Sequence, residues 1–412
     1  MFFAILYRVM FNIFKKKIER IYFDSASAVP VLDIAKKSFL KTTNEVFANA
    51  SSIHTEGEKS KEVLFEARKK IAKFIHARSE NIYFASSTTE ANNIFIKGII
   101  KKGDHIIYTK SDHSAIVDVV GSLKTDTTNI IPNKIGKILV EDVVKNLKEN
   151  TKLICFSLVH SELGTIQDTK KIVLAVREEW EKKFSNNNFP KFFVDASQAI
   201  KYESIDVSNL LIDGLSFGAS KVGSVAGCAV LYIKNGTKLE SIISGGGQEE
   251  GVRSGTENIL AIVACADTLE FISNPHSRTV GKEYVYALRN YCIVELQKNF
   301  NESEVEVFGD TKFKYNKFFE NSAPHILLLS LKDMLGEETC LRLDAKGISV
   351  STATACSLLE GSGSNFLKCI GEPVLAKETI RLSFSPNNTK KEIDYFVAVL
   401  KDIKKKFLDV VK

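Results

Sequence analysis

The feature that most constrains the fold is an alternation. From residue 58 onward a helix-period segment, KSKEVLFEARKKIAKFI, gives way to short runs rich in β-branched and aromatic residues: NIYFASS, HIIYT, KLICFSLV, KFFVDAS, GLSFG and CAVLYI. Helix-period segments separate these runs. Strands that alternate with helices are joined by crossovers, which make neighbouring strands parallel, so the expectation is a doubly wound α/β layer with a mostly parallel sheet. Ligands of such sheets lie at the carboxyl ends of the strands. The polar clusters fall at those ends: SSTTE after YFA, SDHS after IIYT, HSELG after FSLV and ASQ after FFVD.

With 412 residues, 44% of them hydrophobic, the chain can bury a large core, and it reads as two domains sharing a cleft. Residues 21–274 form the larger unit, whose first residues are open to packing with the smaller one. Residues 275–412 form a smaller α+β unit containing AKGISVSTATACS, IRLSFS and a closing amphipathic helix, KKEIDYFVAVLKDIKKKFL. Between them, SGGGQEEGVRSGTEN (244–258) has too many glycines for a helix or strand and reads as a loop that closely approaches something. The net charge of +6 arises from 56 basic and 50 acidic residues that are interspersed, without a basic stripe, so no direct nucleic-acid role is expected. The seven cysteines lack any CxxC pair, which argues against a disulfide framework and a structural zinc site and for a reducing compartment; no metal is expected. The first 20 residues, beginning MFFAILYRVMFNIFKKK, are interrupted by Arg8 and Asn12 and fall short of a membrane span. No transmembrane segment is expected. A cytoplasmic protein is the default, or one of an organellar matrix if this extension is a transit peptide.

Two residues carry the chemistry that comes first to notice. Asp195 ends one strand-like run and Lys221 follows the next, GLSFG. An amine and a carboxylate at neighbouring strand ends are what pyridoxal 5′-phosphate (PLP) demands: the amine captures its aldehyde, and the carboxylate keeps the ring nitrogen protonated as an electron sink. Alone the pair is weak, because both residue types also end strands as solvated charges. Other strand ends supply further parts. Ser86 to Thr89 before EANNIFIKG suits a phosphate at a helix N-terminus, although an ordinary cap formed by Thr89 and Glu90 explains the same residues. His113 can stack on a ring and move protons, Gln198 can reach a ring oxygen, Ser220 adds a hydroxyl, and Arg381 can clamp a carboxylate. Cys356 stands apart from the other six cysteines, in ATACS before the Gly/Ser-rich LLEGSGSN, where a thiol is exposed and movable.

In order along the chain, YFDSASAVP, NASSIHTEG, TTEANNIFIKG, DHSAIVD, HSELGTIQD, VDASQ, SFGASK, GGGQEEGVRSGTEN, STATACS and IRLSFS resemble the segments of cysteine desulfurases of the NifS/IscS type, in the class V, fold-type I aminotransferase group. The resemblance covers nearly the whole chain from Ile21. It implies a PLP-dependent transferase fold of type I, with residues 21–274 as the PLP-binding domain. It also implies that Lys221 holds the cofactor aldehyde, His113 stacks on the ring, Asp195 pairs with the ring nitrogen and Gln198 touches the phenolic oxygen. Thr88, Thr89, Gly218 and Ser220 line the phosphate and ring site, and Thr256 reaches the phosphate of the other subunit of a homodimer. Asn49 and Arg381 receive the carboxylate of L-cysteine, and Cys356 accepts its sulfur, to be passed to an acceptor or iron–sulfur scaffold protein.

The sequence departs from the family pattern around the cofactor. His160 and Ser161 replace two asparagines before Glu162, leaving Ser161 as the cofactor neighbour there, and Ser220 replaces a histidine. Val29, Ala50, Ser87, Thr88 and Glu250 also differ, and Glu250 is negative where arginine is usual. The expected activity is conversion of L-cysteine to L-alanine with a persulfide on Cys356, serving iron–sulfur cluster assembly or tRNA thiolation. Two alternatives stay open at this level: a selenocysteine lyase or other class V enzyme, and a non-catalytic paralogue retained as a scaffold.

Overall fold

A computed structural model describes residues 20–185, 188–309, 321–353 and 363–411. Strand β1 (Ile21–Tyr22) and helices α1 (Asp33–Glu45) and α2 (Thr55–Phe74) precede the central sheet. The chain continues through β2 (Ile82–Ala85), α3 (Thr88–Ile99), β3 (His105–Tyr108), α4 (Ser114–Ser122), β4 (Asp126–Asn129), α5 (Val140–Lys145), β5 (Thr151–Ser157) and α6 (Thr169–Phe184). It then forms β6 (Lys191–Asp195), α7 (Val207–Leu210), β7 (Gly214–Gly218) and β8 (Ala229–Ile233). These seven strands pair in the order β2-β8-β7-β6-β5-β3-β4.

The sheet is mixed rather than uniformly parallel. The pairs β4/β3, β3/β5, β5/β6 and β6/β7 are parallel, whereas β8 runs antiparallel to both β7 and β2. The link from β7 to β8 is residues 219–228, opening with a 3₁₀ turn at Ala219–Val222, and it is too short for a parallel crossover, so β8 returns antiparallel. Strand β4 was not among the apolar runs because its sequence is DTTN: as an edge strand it is half exposed and buries no apolar face.

Side-chain alternation builds the two halves of the core. In β6, Phe192 and Val194 join the cluster containing Ile71, Phe156 and Trp180, while Phe193 joins Phe95, Ile106 and Leu231 on the opposite face. Both faces are therefore covered, as a parallel sheet requires. From β3 the chain moves outward to β4, and after β5 it returns on the other side through β6 to β7. That reversal opens a crevice at the carboxyl ends of the strands.

Helices α8 (Ile259–Ile272) and α9 (Pro275–Asn299) lead to a second layer. It comprises β9 (Val305–Phe308), β10 (Ile326–Leu331), α10 (Gly336–Asp344), β11 (Ile348–Ser349), β12 (Ser351–Thr352), α11 (Asn365–Cys369), α12 (Pro373–Lys377), β13 (Thr379–Ser383) and α13 (Lys390–Val411). An antiparallel sheet of order β12-β13-β10-β9 packs here, and β1 pairs in parallel with β11. Helix α13 buries Ile393, Phe396, Val397, Leu400 and Ile403, a spacing of three and four that places them on one stripe. Each such side chain contributes about 1.5–3 kcal/mol when removed from water. Ile21 and Phe23 share this core with Val285, Leu327 and Leu382, so the start of the chain is packed against its end.

Candidate active site

Strand β6 delivers Asp195 to the crevice at the level of Ser157 of β5 and Ser216 of β7. Its carboxylate is held from behind. Ser197 N donates to Oδ1 at 2.8 Å and Asn92 Nδ2 donates to Oδ2 at 3.1 Å. Asn92 is itself fixed, since its Oδ1 accepts from Ser216 Oγ at 2.5 Å and its Nδ2 also donates to Ala115 O at 3.2 Å. Strand β7 ends at Gly218, and the following turn carries Lys221, whose Nζ donates to Ala26 O at 2.9 Å and Ser27 O at 2.6 Å. Gln198 Nε2 donates to the same Ala26 carbonyl at 2.9 Å.

Helix α3 begins at the crevice. Its cap is Ser87, whose Oγ accepts from Glu90 N at 3.2 Å, while Glu90 Oε2 accepts from Ser86 N at 2.7 Å. This corrects the alternative reading of Thr89 and Glu90 as the cap: Ser87 is the cap and starts the helix earlier, which makes Thr88 and Thr89 its first two residues. Their backbone N–H groups face the crevice for a ligand, and Thr88 Oγ1 accepts from Ser197 Oγ at 3.3 Å. Gly218 keeps room for them, because a Cβ there would stand 2.8 Å from Thr88 Oγ1.

His113 caps α4, its Nδ1 accepting from Ala115 N at 3.0 Å, so the ring proton resides on Nε2. The ring is wetted by the open cleft, yet the protein around it lowers its pKa; Asp195 opposes that shift, and Lys221 and Arg381 reinforce it. Arg381, on β13, is buried and reaches across from the second sheet. Its Nη1 donates to Ser161 O at 3.1 Å and its Nη2 meets Asp24 Oδ1 at 3.4 Å, while Nε is buried without a partner among the described residues.

A cleft of about 370 Å³ gathers Ser86, Ser87, Thr88, Thr89, His113, Ser161, Asp195, Gln198, Gly218, Ser220, Lys221 and Arg381 on one surface. Its size lies within the range of small-molecule sites. Asn49 and Thr256 are exposed and do not line it; Asn49 Oδ1 instead accepts from Ser51 N at 2.9 Å. Cys356 lies outside the described residues, as do residues 1–19. Of the remaining cysteines, four are buried and Cys340 and Cys369 are half-buried. Among the described residues no cluster of His, Cys, Asp and Glu suits a metal ion, and no helix is long and apolar enough to cross a membrane.

The match to known proteins follows the same span. The aminotransferase class-V family model fits residues 21–396. The chain belongs to that family. Cysteine desulfurase IscS of Dictyoglomus turgidum is 32% identical to this class-V chain over 394 residues, covering 93% of the chain and 94% of that protein. Cysteine desulfurase IscS of Buchnera aphidicola subsp. Baizongia pistaciae is 34% identical, covering 92% and 91%. Among solved structures, a NifS-like protein superposes with a TM-score of 0.82 at 26% identity, covering 93% of this chain and 99% of that one. The α/β fold is thus that of NifS-like class-V proteins.

The class-V site also has parts that the motifs alone did not reveal. Asp112, next to His113, is buried and accepts from Ser157 N at 2.9 Å; burial, with Asp195 and Glu162 nearby, pushes its pKa up to about 7. Glu162 is 1% exposed and accepts from Ser364 Oγ, from Asn365 N at 2.8 Å and from Phe366 N at 3.4 Å. It ties the end of β5 to the start of α11. An acid in the polar cluster HSELG at the end of a strand was the available signal. His160 turns away from the cleft: its Nδ1 accepts from Glu162 N at 3.2 Å and Leu163 N at 3.3 Å, its ring stands edge-on to Phe366, and burial lowers its pKa to about 4. The glycine-rich loop is pinned as well. Glu249 takes two hydrogen bonds from Arg68, at 2.8 and 2.9 Å, and one from Phe84 N at 3.0 Å, and Arg253 Nε reaches Glu90 Oε1 at 2.7 Å.

The donor set fits PLP. The cleft offers one lysine, Lys221, for the aldehyde and one carboxylate braced by two donors, Asp195, for the ring nitrogen. A helix N-terminus with hydroxyls beside a Cβ-free Gly218 suits a phosphate.

Proposed function

We propose that this chain is a PLP-dependent cysteine desulfurase that converts L-cysteine to L-alanine and carries the sulfur as a persulfide on Cys356. The observation that carries the reading is the convergence of Lys221, Asp195, His113 and Arg381 on one cleft from both sheets. The curated relatives named cysteine desulfurase support the same substrate.

When bound, PLP supplies an aldehyde for amine capture and a protonated ring that takes up the electron pair released at the substrate Cα. Asp195 holds the ring-nitrogen proton, with Asn92 and Ser197 keeping the carboxylate in place. Thr88, Thr89 and Ser220 hold the phosphate, joined by Thr256 of a second subunit. Gln198 and Ser161 face the cofactor's phenolic oxygen. Lys221, released from the Ala26 and Ser27 carbonyls, holds the aldehyde and then moves the Cα proton. His113 Nε2 is the further proton carrier on the cleft wall. Arg381, with Asn49, receives the substrate carboxylate; its unpartnered Nε gives it a free donor for that role. The Cys356 thiolate attacks the substrate sulfur, the substrate C–S bond breaks with its electrons going to carbon, and protonation there gives alanine. The sum, cysteine plus thiol giving alanine plus persulfide, balances without an external oxidant.

In this reading residues 21–274 bind the cofactor, residues 275–412 carry Cys356, and the working unit is a cytoplasmic homodimer that hands sulfur to a scaffold or carrier protein for iron–sulfur clusters or tRNA thiolation. An absorbance spectrum of purified protein with and without L-cysteine, comparing wild type with Lys221→Ala, tests the reading together with an alanine assay on Cys356→Ala. A cofactor band that requires Lys221, perturbed by cysteine, and sulfur transfer that requires Cys356 are expected. No band in wild type, or undiminished sulfur transfer by Cys356→Ala, refutes it.

A further inference from the structure

Behind the cleft lies a small buried polar group that none of the motifs includes. His325, at the entry to β10, is 4% exposed, and its Nε2 lies 3.2 Å from Gln198 Oε1. Its ring packs against Tyr202 with centroids 4.8 Å apart. Ser25, Lys201, Tyr202 and His325 line a cavity of about 10 Å³ with Gln198 and Lys221, which is room for one water. Ser25 Oγ, Tyr202 Oη and His325 Nδ1 are all buried without a partner among the described residues.

These contacts determine an orientation. A side-chain amide can sit either way round, and its neighbours decide which. Ala26 O only accepts, so the atom 2.9 Å from it must be the nitrogen of Gln198. The oxygen then faces His325 Nε2, which satisfies it only as N–H. That tautomer leaves Nδ1 as an acceptor for a hydroxyl or a water in the cavity, and Ser25 and Tyr202 supply donors there. The imidazole stays neutral, because burial and the surrounding cations Lys201, Arg381, Arg289 and Lys221 all oppose its protonation.

We propose that His325 is a positioning residue for Gln198: by donating Nε2–H to Gln198 Oε1 it holds the amide whose nitrogen meets Ala26 O, leaving the second hydrogen of that nitrogen for the cofactor. This rests on the PLP reading above and deepens it. His160 gives the proposal its weight, since it stands where the resemblance expects an asparagine and is turned into the core, leaving Gln198 to make the amide contact.

The test uses holoenzyme with His325→Leu, which cannot donate, and His325→Gln, whose amide can. His325→Leu should shift the absorbance maximum of bound PLP and weaken PLP binding about tenfold, as expected for one oriented hydrogen bond of about 1.4 kcal/mol. His325→Gln should restore both. Wild-type spectrum and affinity in His325→Leu, or equal losses in the two variants, overturn the proposal. A wild-type protein that binds no PLP defeats the functional reading instead. The hydrogen bond is then judged by a double-mutant cycle with Gln198→Leu in cofactor-free protein, read as Tm: non-additive losses support the pairing, and additive ones overturn it.

Discussion

Replacing Glu162 by alanine removes the acceptor that joins the end of β5 to the start of α11. Two backbone donors, Asn365 N and Phe366 N, and the Ser364 hydroxyl lose their partner within a site where Glu162 is 1% exposed. Each buried donor left unpaired costs about 1–3 kcal/mol. Part of that is offset, because the carboxyl is itself expensive to bury, as its raised pKa shows, and because the Phe366 contact is long at 3.4 Å. A net local loss of about 3 kcal/mol follows from those terms. Each 1.4 kcal/mol is a factor of ten, so hydrogen exchange at the Asn365 and Phe366 amides should accelerate about 100-fold in Glu162→Ala. Glu162→Gln keeps one carbonyl oxygen, and its amide group repels one donor, so about tenfold is expected there. Hydrogen-exchange mass spectrometry on peptides spanning residues 363–370 makes the measurement. Since this anchor is the described chain that follows the Cys356 segment, cysteine turnover should fall in Glu162→Ala while PLP absorbance persists. Unchanged amide protection, or loss of PLP in step with turnover, would refute the reasoning.

Three further outcomes are expected. Asp112, with its folded pKa raised to about 7, stabilises the fold as the protonated acid below its ordinary range near 3.8, and that contribution is lost as pH rises through 7. Asp112→Asn, which keeps an acceptor for Ser157 N, should therefore gain in Tm over wild type from pH 5.5 to pH 8.5, and a gap independent of pH would contradict the burial argument. Gly218→Ala sets a Cβ 2.8 Å from Thr88 Oγ1, an overlap costing about 1–3 kcal/mol. PLP affinity measured by titration should drop about 10–100-fold; unaltered affinity counts against the cradle. Glu249→Ala leaves the Phe84 N–H unpaired and Arg68 with only its Ile82 O contact, a loss of about 3 kcal/mol. Exchange at the Phe84 amide should accelerate at least 100-fold, and normal protection would show that the loop is held by other contacts.

The alternation of strands and helices was legible because each buried strand had to be apolar along its whole length, as KLICFS and KFFV are, and each reversal of strand order left polar residues at a carboxyl end. Asp195, Lys221, His113 and Thr88 could be located that way without knowing which strands pair. Strand β4 could not, since DTTN buries nothing apolar, and the antiparallel sense of β8 is set by the length of the connection from β7 rather than by composition. The buried acids were hidden for a different reason. Glu162 is stable without solvent only through donors about 200 positions away, at Ser364 to Phe366, and no local pattern encodes that distance.

The departures from the family pattern need the structure to be weighed, because a substitution at a cofactor contact has no fixed consequence. His160 might have replaced asparagine as a donor to the cofactor, but its Nδ1 is engaged with the backbone of its own turn and its ring is wedged against Phe366. Its role has moved from ligand contact to turn support. Ser161 remains on the cleft wall, yet its backbone oxygen is what Arg381 holds. Any change at residue 161 that moves the backbone therefore reaches the proposed carboxylate site, while a change confined to the hydroxyl reaches only the cofactor side. With His160 withdrawn, the amide contact falls to Gln198, which is held by Ala26 O and by His325, in the turn that enters β10 of the other sheet. The cofactor contact thus depends on how the two sheets are packed, and mutations at the base of β10 should act on PLP spectra before they act on folding.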